Sequence, residues 1–206
     1  MHRRRLIALT CGAVLAAAPA LAAPLPPEDQ ARVDQAASYL QNLATVSGRF
    51  TQTAPDGRTS TGELFLQRPG KARFQYDPPA RTTIVSDGRN VGLWDGKLNT
   101  YNTAPLARTP LNILLAKHVR LDRGVVIARV DKNSEGFALT ALDAAHRADG
   151  RIVIYFSEAP LALRGWNLSD AQGRTTRVRL GALSPRAGLD PALFVLHDPR
   201  KDAAPR

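Results

Sequence analysis

The sequence predicts an α+β fold, in which one large curved antiparallel sheet forms an incomplete β-barrel and helices cover one face. About eleven short runs of residues alternate apolar and polar side chains, which is typical of half-buried strands. Asp-Gly pairs lie between several of these runs, and Asp-Gly is a strong hairpin signal. Apolar residues at helical spacing occur mainly in two places, so two to three helices interrupt the strands. A sheet with this many strands must curl.

The chain begins with the pattern of a secretory signal peptide. A basic start (MHRRR) precedes an apolar stretch that is too short to cross a bilayer, and Ala20-Leu21-Ala22 provides a small-x-small cleavage site. We therefore interpret residues 1–22 as a cleaved leader rather than a membrane anchor. Cys11 lies inside this leader, and Ala8 stands where lipidation would need a leucine-like residue. The exported chain then has no cysteine for a disulfide or a thiolate site.

Length and charge narrow the possible classes of protein. The chain has 206 residues. After removal of the leader this length predicts one domain, residues 23–200. The last six residues, 201–206, are predicted to form a disordered tail. The formal net charge is +10, but the arginines are scattered through the predicted strands. Diffuse basic charge suits a protein that works near anionic membranes or acidic partners. Nucleic-acid binding would instead require a focused basic patch with aromatic residues.

The first helix is predicted to begin at Pro26-Pro27-Glu28-Asp29. Proline fits the first helical turn, and acidic residues there favour the helix dipole. The apolar residues that follow recur at helical spacing and form one stripe, made of Val33, Ala36, Ala37, Leu40, Leu43 and Ala44.

A second, shorter helix is predicted in the middle of the chain, with Thr109 as its cap and Pro110 at its first position. Four apolar residues make it hydrophobic on most sides: Leu111, Ile113, Leu114 and Leu115. Such a helix must be buried or must cover something apolar. Residues 117–124 are predicted to form a loop or a short third helix.

Strands are predicted on both sides of the second helix. We place six before it, at 47–54, 59–67, 72–77, 81–86, 89–95 and 97–102, and five after it, at 125–131, 136–142, 151–156, 161–170 and 174–183. Strands joined by such short turns are antiparallel neighbours, so a meander is expected.

The sequence shows no motif for metal or nucleophilic chemistry. His118, His146 and His197 lie far apart in sequence and lack the spacing of metal ligands. No G-x-S-x-G run and no phosphate-binding glycine loop occurs. We therefore expect no cofactor, no metal and no enzymatic activity.

Four motifs occur in order in the first half of the chain. They are Phe50-Thr51-Gln52, the G-x-L-x-L-x-R-P run of residues 62–69, the R-x-x-Y-x-x-P run of residues 73–79, and Ser86-Asp87-Gly88. Residues 189–199 add a turn, an F-x-L strand and a proline. This ordered set resembles the periplasmic outer-membrane lipoprotein carrier family (LolA-like), and the resemblance covers nearly the whole mature chain.

The resemblance implies that the helices form a lid over an apolar cavity on the concave side of the sheet. It also implies that Arg68, at the end of a predicted strand, is a latch that holds the lid closed. The alternating and helical patterns themselves suggest the side chains that line the cavity: Leu64, Leu66, Phe74, Tyr76, Ile84, Trp94, Leu111, Leu114 and Leu115.

The function implied by the resemblance is that of a periplasmic chaperone for acylated lipoproteins. Such a carrier takes its cargo from an inner-membrane lipoprotein-releasing transporter and delivers it to an outer-membrane lipoprotein acceptor. It is expected to act as a monomer without nucleic acid. Two alternatives remain: a related lipid or glycolipid carrier or sensor on the same fold, and a periplasmic hydrolase that pairs His118 or His146 with a carboxylate.

The leader interpretation predicts the N-terminus of the exported protein. When the full chain is expressed in a Gram-negative bacterium, the periplasmic form should begin at Ala23, because cleavage follows Ala22. Intact-mass spectrometry and N-terminal sequencing of the periplasmic fraction measure this directly. A periplasmic pool that retains Met1, or a form acylated at Cys11, would contradict the interpretation.

Overall fold

The computed structural model describes residues 24–121, 123–145 and 147–202. Within these ranges the chain forms one twelve-stranded antiparallel sheet, two α-helices and four short 3₁₀ helices. The predicted leader, His146 and the tail from residue 203 onward lie outside the described residues.

The elements follow the chain in this order. Helix α1 spans Pro27–Asn42 and helix α2 spans Leu111–Leu115. The first strands are β1 Thr45–Thr53, β2 Thr59–Gln67, β3 Lys71–Tyr76, β4 Thr82–Asp87, β5 Asn90–Asp95 and β6 Thr100–Pro105. The later strands are β7 Val125–Asn133, β8 Gly136–Asp143, β9 Gly150–Glu158, β10 Leu161–Asp170, β11 Thr175–Leu180 and β12 Ser184–Pro185. The 3₁₀ helices are Leu106–Arg108, Arg147–Asp149, Pro191–Phe194 and Pro199–Lys201.

Two meanders make up the sheet. Its strand order is β6-β5-β4-β3-β2-β1-β11-β10-β9-β8-β7, so β1 and β11 join the two halves through pairs such as Phe50 with Leu180. The short strand β12 pairs with the start of β1. Strands β6 and β7 are the two edges, and the sheet does not close on itself. The predicted fold class, a large curved antiparallel sheet forming an incomplete barrel, is confirmed.

The eleven predicted strands are all present, and most of their ends agree within two residues. The largest shifts are at β6, which was predicted at 97–102 and spans Thr100–Pro105, and at the end of β11, which was predicted to reach residue 183 and ends at Leu180. The Asp95-Gly96 turn is longer than a two-residue hairpin, because the Asp95 carboxylate accepts hydrogen bonds from the amides of Lys97 (2.9 Å) and Leu98 (3.1 Å). Asn99 then takes a positive φ before the strand starts.

The prediction of a closing strand near Phe194 is wrong. Pro191–Phe194 form a 3₁₀ helix instead, whose start is capped when the Asp190 carboxylate accepts from the Ala192 amide (2.8 Å). Phe194 is buried under the Lys71 ammonium, which lies 6.0 Å from the ring centroid. Arg73 donates to the Leu193 carbonyl (3.3 Å). The C-terminal segment therefore packs across the outer face of the sheet rather than extending it.

Helix α1 lies on the concave face, where its predicted apolar stripe meets the sheet. Val33, Ala36 and Leu40 are buried. Near its start, Arg32 forms an ion pair with Glu158 at the end of β9 (3.2 Å). The concave side of the sheet and this stripe form one continuous hydrophobic core. Within the described residues, no helix is long and apolar enough to cross a membrane.

One end of the core is an aromatic cluster built from two of the sequence motifs. The Phe50 ring packs edge-on against Phe74 and Tyr76, with centroids 5.5 and 5.0 Å apart. The Tyr76 hydroxyl donates to the Gln52 side-chain oxygen (2.7 Å). Burial raises the pKa of Tyr76 to about 12. This phenol is thus held neutral and hydrogen-bonded, as a buried polar group must be.

The raised pKa predicts how stability changes at alkaline pH. The pKa of Tyr76 in the folded protein lies above the ordinary value of about 10, which applies to the unfolded chain. The neutral, hydrogen-bonded phenol therefore contributes its full stabilisation below pH ~10, and this contribution is lost as the pH rises toward ~12. At pH 8, Tyr76→Phe should lower the free energy of unfolding by about 1 kcal/mol, because Gln52 loses its donor. Between pH 9 and 11.5, the free energy of unfolding measured with urea should fall less in Tyr76→Phe than in wild type, by up to about 2 kcal/mol. Equal losses in both proteins would contradict this.

Candidate functional site

A nearly enclosed apolar cavity lies between the concave face of the sheet and the two helices. It is lined by Leu40, Leu43, Leu64, Leu66, Ala72, Phe74, Leu111, Leu114, Leu115, Leu163, Trp166 and Leu183. Its free volume is only about 10 Å³, about the space of one water molecule. No charged side chain lines it, so a water there would lack the partners it needs. In this state the helices close the cavity, and it has no room for an acyl chain.

Six of the nine residues predicted to line the cavity do so. Three come from the sheet, namely Leu64, Leu66 and Phe74, and three from the short helix, namely Leu111, Leu114 and Leu115. The helix that looked too apolar for the surface is thus explained by what it covers.

The other three predicted residues lie elsewhere. Tyr76 is on the same face but belongs to the aromatic cluster beside Phe50. Ile84 pairs with Phe74 on the concave face, one strand farther from the cavity. Trp94 is on the outer face, because its register partner is Thr83 while its neighbour Leu93 pairs with Ile84. A shift of one position along a strand moves a side chain to the opposite face of the sheet. Alternation also does not show how far along the sheet from the cavity a residue on the correct face lies.

A β-bulge explains why two sheet residues of the lining escaped prediction. Leu163 pairs with Phe156, whereas Gly165 pairs with Tyr155, so Arg164 is an extra residue in β10. The bulge places Leu163 and Trp166 on the same face although they are three positions apart. The Trp166 ring then packs edge-on against Phe74, with centroids 6.1 Å apart. The remaining unpredicted lining residues include Leu40 and Leu43, which belong to the apolar stripe and the end of α1.

Arg68 connects the sheet to the ends of both helices. Its Nη1 donates to the carbonyl of Leu40 in the last turn of α1, and its Nη2 donates to the carbonyl of Ala116 just after α2 (2.5 Å). Carbonyls at helix C-termini lack intrahelical donors and carry partial negative charge, so a guanidinium suits them. We call these two contacts the Arg68 latch, and α1, α2 and residues 116–119 the lid.

The environment of the guanidinium is partly desolvated. Burial lowers the pKa of Arg68 from its ordinary value, yet arginine stays charged at neutral pH. Its Nε is buried and has no hydrogen-bond partner among the described residues. The latch therefore leaves one donor of a charged group unpaired, which offsets part of what its two hydrogen bonds contribute.

Further hydrogen bonds hold the lid together and against the sheet. The Gly70 amide donates to the Leu115 carbonyl (2.8 Å). The Gln41 side chain spans the two parts of the lid, because its amide nitrogen donates to the Lys117 carbonyl (3.2 Å) and its oxygen accepts from the Val119 amide (2.9 Å). Residues 117–121, predicted as a polar loop or helix, thus form an irregular segment that buries Val119. Thr109 does not cap α2; its hydroxyl donates back to the Leu106 carbonyl (2.9 Å).

The Ser86-Asp87-Gly88 motif supports the turn that carries Arg68. The buried Ser86 hydroxyl donates to the Gly70 carbonyl (2.6 Å). Gly70 has a φ of +80°, and a Cβ there would lie 2.6 Å from the Cα of Gly88. Asp87 shapes its own turn by accepting from the amides of Arg89 and Asn90, both at 2.7 Å. Two glycine turns in close contact thus fix the position from which Arg68 reaches the lid.

The two histidines that the structure describes, His118 and His197, do not lie at this site. His118 is exposed, and His197 forms an exposed pair with Asp202 (2.7 Å). The described ranges contain no group of three His, Cys, Asp or Glu side chains that could hold a metal ion.

An open antiparallel sheet that two helices close over a lining of leucine, alanine and aromatic side chains defines the class of half-barrel proteins with an apolar interior. A family model described as outer membrane lipoprotein carrier protein LolA matches residues 41–197. The chain therefore belongs to the outer membrane lipoprotein carrier protein LolA family.

Individual relatives agree with this assignment. The outer-membrane lipoprotein carrier protein of Methylococcus capsulatus is 31% identical over 171 residues, covering 79% of this chain and 81% of that protein. The protein with the same description in Chromohalobacter salexigens is 26% identical over 196 residues, covering 90% and 92%. A solved structure of a LolA superfamily protein from Nitrosomonas europaea aligns with a TM-score of 0.42 at 9% identity, covering 78% of this chain and 97% of that one.

The contact between the two glycine turns predicts a role for Ser86. Ser86→Ala removes the donor to a buried carbonyl, which should lower the free energy of unfolding by about 1–3 kcal/mol. It should also loosen the turn that bonds the lid, so hydrogen exchange of the Gly70 amide should accelerate more than that of amides in β9 and β10. NMR-detected exchange measures both.

The matched control is Ser169→Ala. Ser169 is also buried, and its hydroxyl shares a hydrogen bond with Thr175 at the start of β11 (2.8 Å) rather than with the Gly70 turn. This variant should lose stability without a selective effect on Gly70. If the two variants accelerate Gly70 exchange equally, Ser86 does not position the lid.

Proposed function

We propose that this protein is a periplasmic carrier that binds the acyl chains of lipoproteins released from the inner membrane and delivers them to an outer-membrane acceptor. The observation that carries the proposal is a wholly apolar cavity that two helices close, with one arginine bonded to the ends of both. Membership of the lipoprotein carrier family and the export leader expected from the sequence support it.

The closed cavity requires the lid to move before cargo binds. A volume of about 10 Å³ must become large enough for an acyl chain, so α1 and α2 must separate from the sheet. The Arg68 hydrogen bonds to the lid are charge-assisted and are worth roughly 1.5–3 kcal/mol each. Each methylene that leaves water contributes about 0.8 kcal/mol, so burial of about ten of them, ~8 kcal/mol, outweighs the loss of the latch.

The same balance explains release. Because the latch re-forms when cargo leaves, it favours the empty state and weakens the affinity of the carrier for its ligand. An acceptor that binds the acyl chains better can then remove them without any chemical step in the carrier. The carrier receives cargo from an inner-membrane lipoprotein-releasing transporter, acts as a monomer in the periplasm, and catalyses no reaction.

The identity of the cargo is testable by mass spectrometry. Protein purified from the periplasm without detergent should carry acylated polypeptides in substoichiometric amounts. If only phospholipids or glycolipids co-purify, the related lipid carrier on the same fold is the better assignment.

The latch makes a specific prediction for Arg68→Leu. Loss of both hydrogen bonds removes part of what stabilises the closed, empty state. Because burial of the guanidinium already offsets much of their combined value of roughly 3–6 kcal/mol, affinity for an acylated ligand should rise by roughly ten- to 100-fold, or about 1.4–2.7 kcal/mol. Transfer of a bound lipoprotein to an acceptor should slow by a comparable factor. Fluorescence titration with an acyl probe measures the affinity, and a two-compartment transfer assay measures the second step.

Arg73→Leu is the matched control for this experiment. Arg73 is also half-buried on the adjacent strand, but it bonds the C-terminal segment on the outer face rather than the lid. The control should bind and transfer like wild type. Wild-type behaviour of Arg68→Leu would remove the latch from the mechanism, and weaker binding would mean that Arg68 contacts the cargo itself.

A further inference from the structure

A second space lies outside the closed cavity, on the other side of helix α2, and its lining is partly apolar and partly charged. An open groove of about 550 Å³ runs between the stretch that leads into α2 and the ends of strands β7 to β10. Its size is in the range of pockets that hold small ligands. Unlike the cavity, the groove is open while the latch is closed.

Helix α2 is the wall between the two spaces. Leu111, Leu114 and Leu115 face the cavity. Pro110 and Ile113 instead form the roof of the groove. The roof is held at both ends, because the buried Leu106 donates its amide to the Arg89 carbonyl (2.8 Å) and Leu115 accepts from Gly70.

The floor of the groove continues the floor of the cavity. In the paired strands β9 and β10, Ile154 lies opposite Trp166 and Ile152 lies opposite Leu168. Trp166 lines the cavity and Leu168 lines the groove. Two residues along a strand span about 7 Å and return to the same face. One apolar strip thus passes beneath α2 from the groove into the cavity.

The rim of the groove is polar and carries both signs of charge. Arg108 and Arg151 lie on it together with Asp143, Asp149 and Asp170. Such a rim does not select an anionic head group. The arginine donors and carboxylate acceptors of the rim can instead form hydrogen bonds with the neutral ester and amide groups that link acyl chains to a polypeptide. The acyl chain would then cover the apolar floor.

We propose that the groove is the first docking site for one long acyl chain of an acylated cargo polypeptide, occupied before the lid opens. The inference rests on the proposed carrier function and adds where binding begins. A ligand that could bind only an open lid would have its apparent affinity reduced by the small open fraction. A chain that docks in the groove is already against α2, and displacement of that helix lets it slide along the strip over Leu168 and Trp166 into the cavity.

Time-resolved photo-crosslinking tests this order of events. The probe is a synthetic lipopeptide with a diazirine on one acyl chain, mixed with the exported protein and irradiated after milliseconds or after minutes. Early crosslinks should fall on Ile113, Ile152 and Leu168, and late ones on Leu64, Phe74 and Trp166. Peptide mapping by mass spectrometry distinguishes the two sets.

Three variants separate the two spaces. Ile113→Asp places a charge in the groove roof and should reduce the initial association rate at least about tenfold, since an uncompensated charge against an acyl chain is costly. Leu114→Glu charges the cavity wall and should keep the early crosslinks while abolishing the late ones. Leu98→Asp, at a 71% exposed apolar residue in the β5–β6 turn, controls for the loss of surface hydrophobicity and should change neither.

Each outcome has a definite meaning. Crosslinks confined to cavity residues at all times, or wild-type association by Ile113→Asp, would overturn the docking groove while leaving the carrier function intact. If no saturable binding of the lipopeptide occurs in wild type or in Arg68→Leu, the carrier function fails and the groove fails with it. If Ile113→Asp does not fold, the crosslinking order in wild type still decides.

Discussion

One guanidinium bonds the ends of both lid helices in the closed state of this protein. Arg68 donates to the Leu40 carbonyl, which also accepts from the Leu43 amide, and to the Ala116 carbonyl just after α2. Within the described residues the Arg68 Nε has no hydrogen-bond partner, so burial of the guanidinium offsets part of what the two bonds contribute. Under the proposed function, opening of the lid breaks these hydrogen bonds, and burial of acyl methylenes offsets their loss.

The sequence motifs that resemble those of the family lie close together in the folded protein, in the strands that carry the Arg68 latch. The strand that ends in Arg68-Pro69-Gly70 is supported by Ser86 and Gly88 of the next motif. The Phe50 and Tyr76 motifs build the aromatic cluster at the other end of the same strands. Residues spread over some forty positions of sequence therefore form one support, with the latch at one end and a rigid aromatic packing at the other.

Sequence reasoning was sufficient for the eleven long strands, but not for the C-terminal segment, and it was only partly sufficient for the site. Alternation and Asp-Gly turns identified the strands, because hairpins and half-buried strands are determined by local chemistry. The face of Trp94 depended on exact register, and the shared face of Leu163 and Trp166 depended on a bulge that has no clear local signature. The partners of Arg68 lie 28 and 48 residues away in sequence. Its position at a strand end before a proline was therefore only a weak local signal, and the resemblance was needed to suggest its role.

The strand order has a consequence for how the protein is made. The N-terminal meander can pair as soon as it emerges, but β1 meets β11 only after more than a hundred further residues have followed. Until then the apolar face of β1 to β3 lacks Leu163 and Trp166, and α1 has no complete floor to cover. Sheets that need such long-range pairing fold slowly, and the hydrophobic surface that is exposed in the meantime promotes aggregation. A member of a lipoprotein carrier family is therefore, until its own sheet is complete, a chain that itself needs shielding.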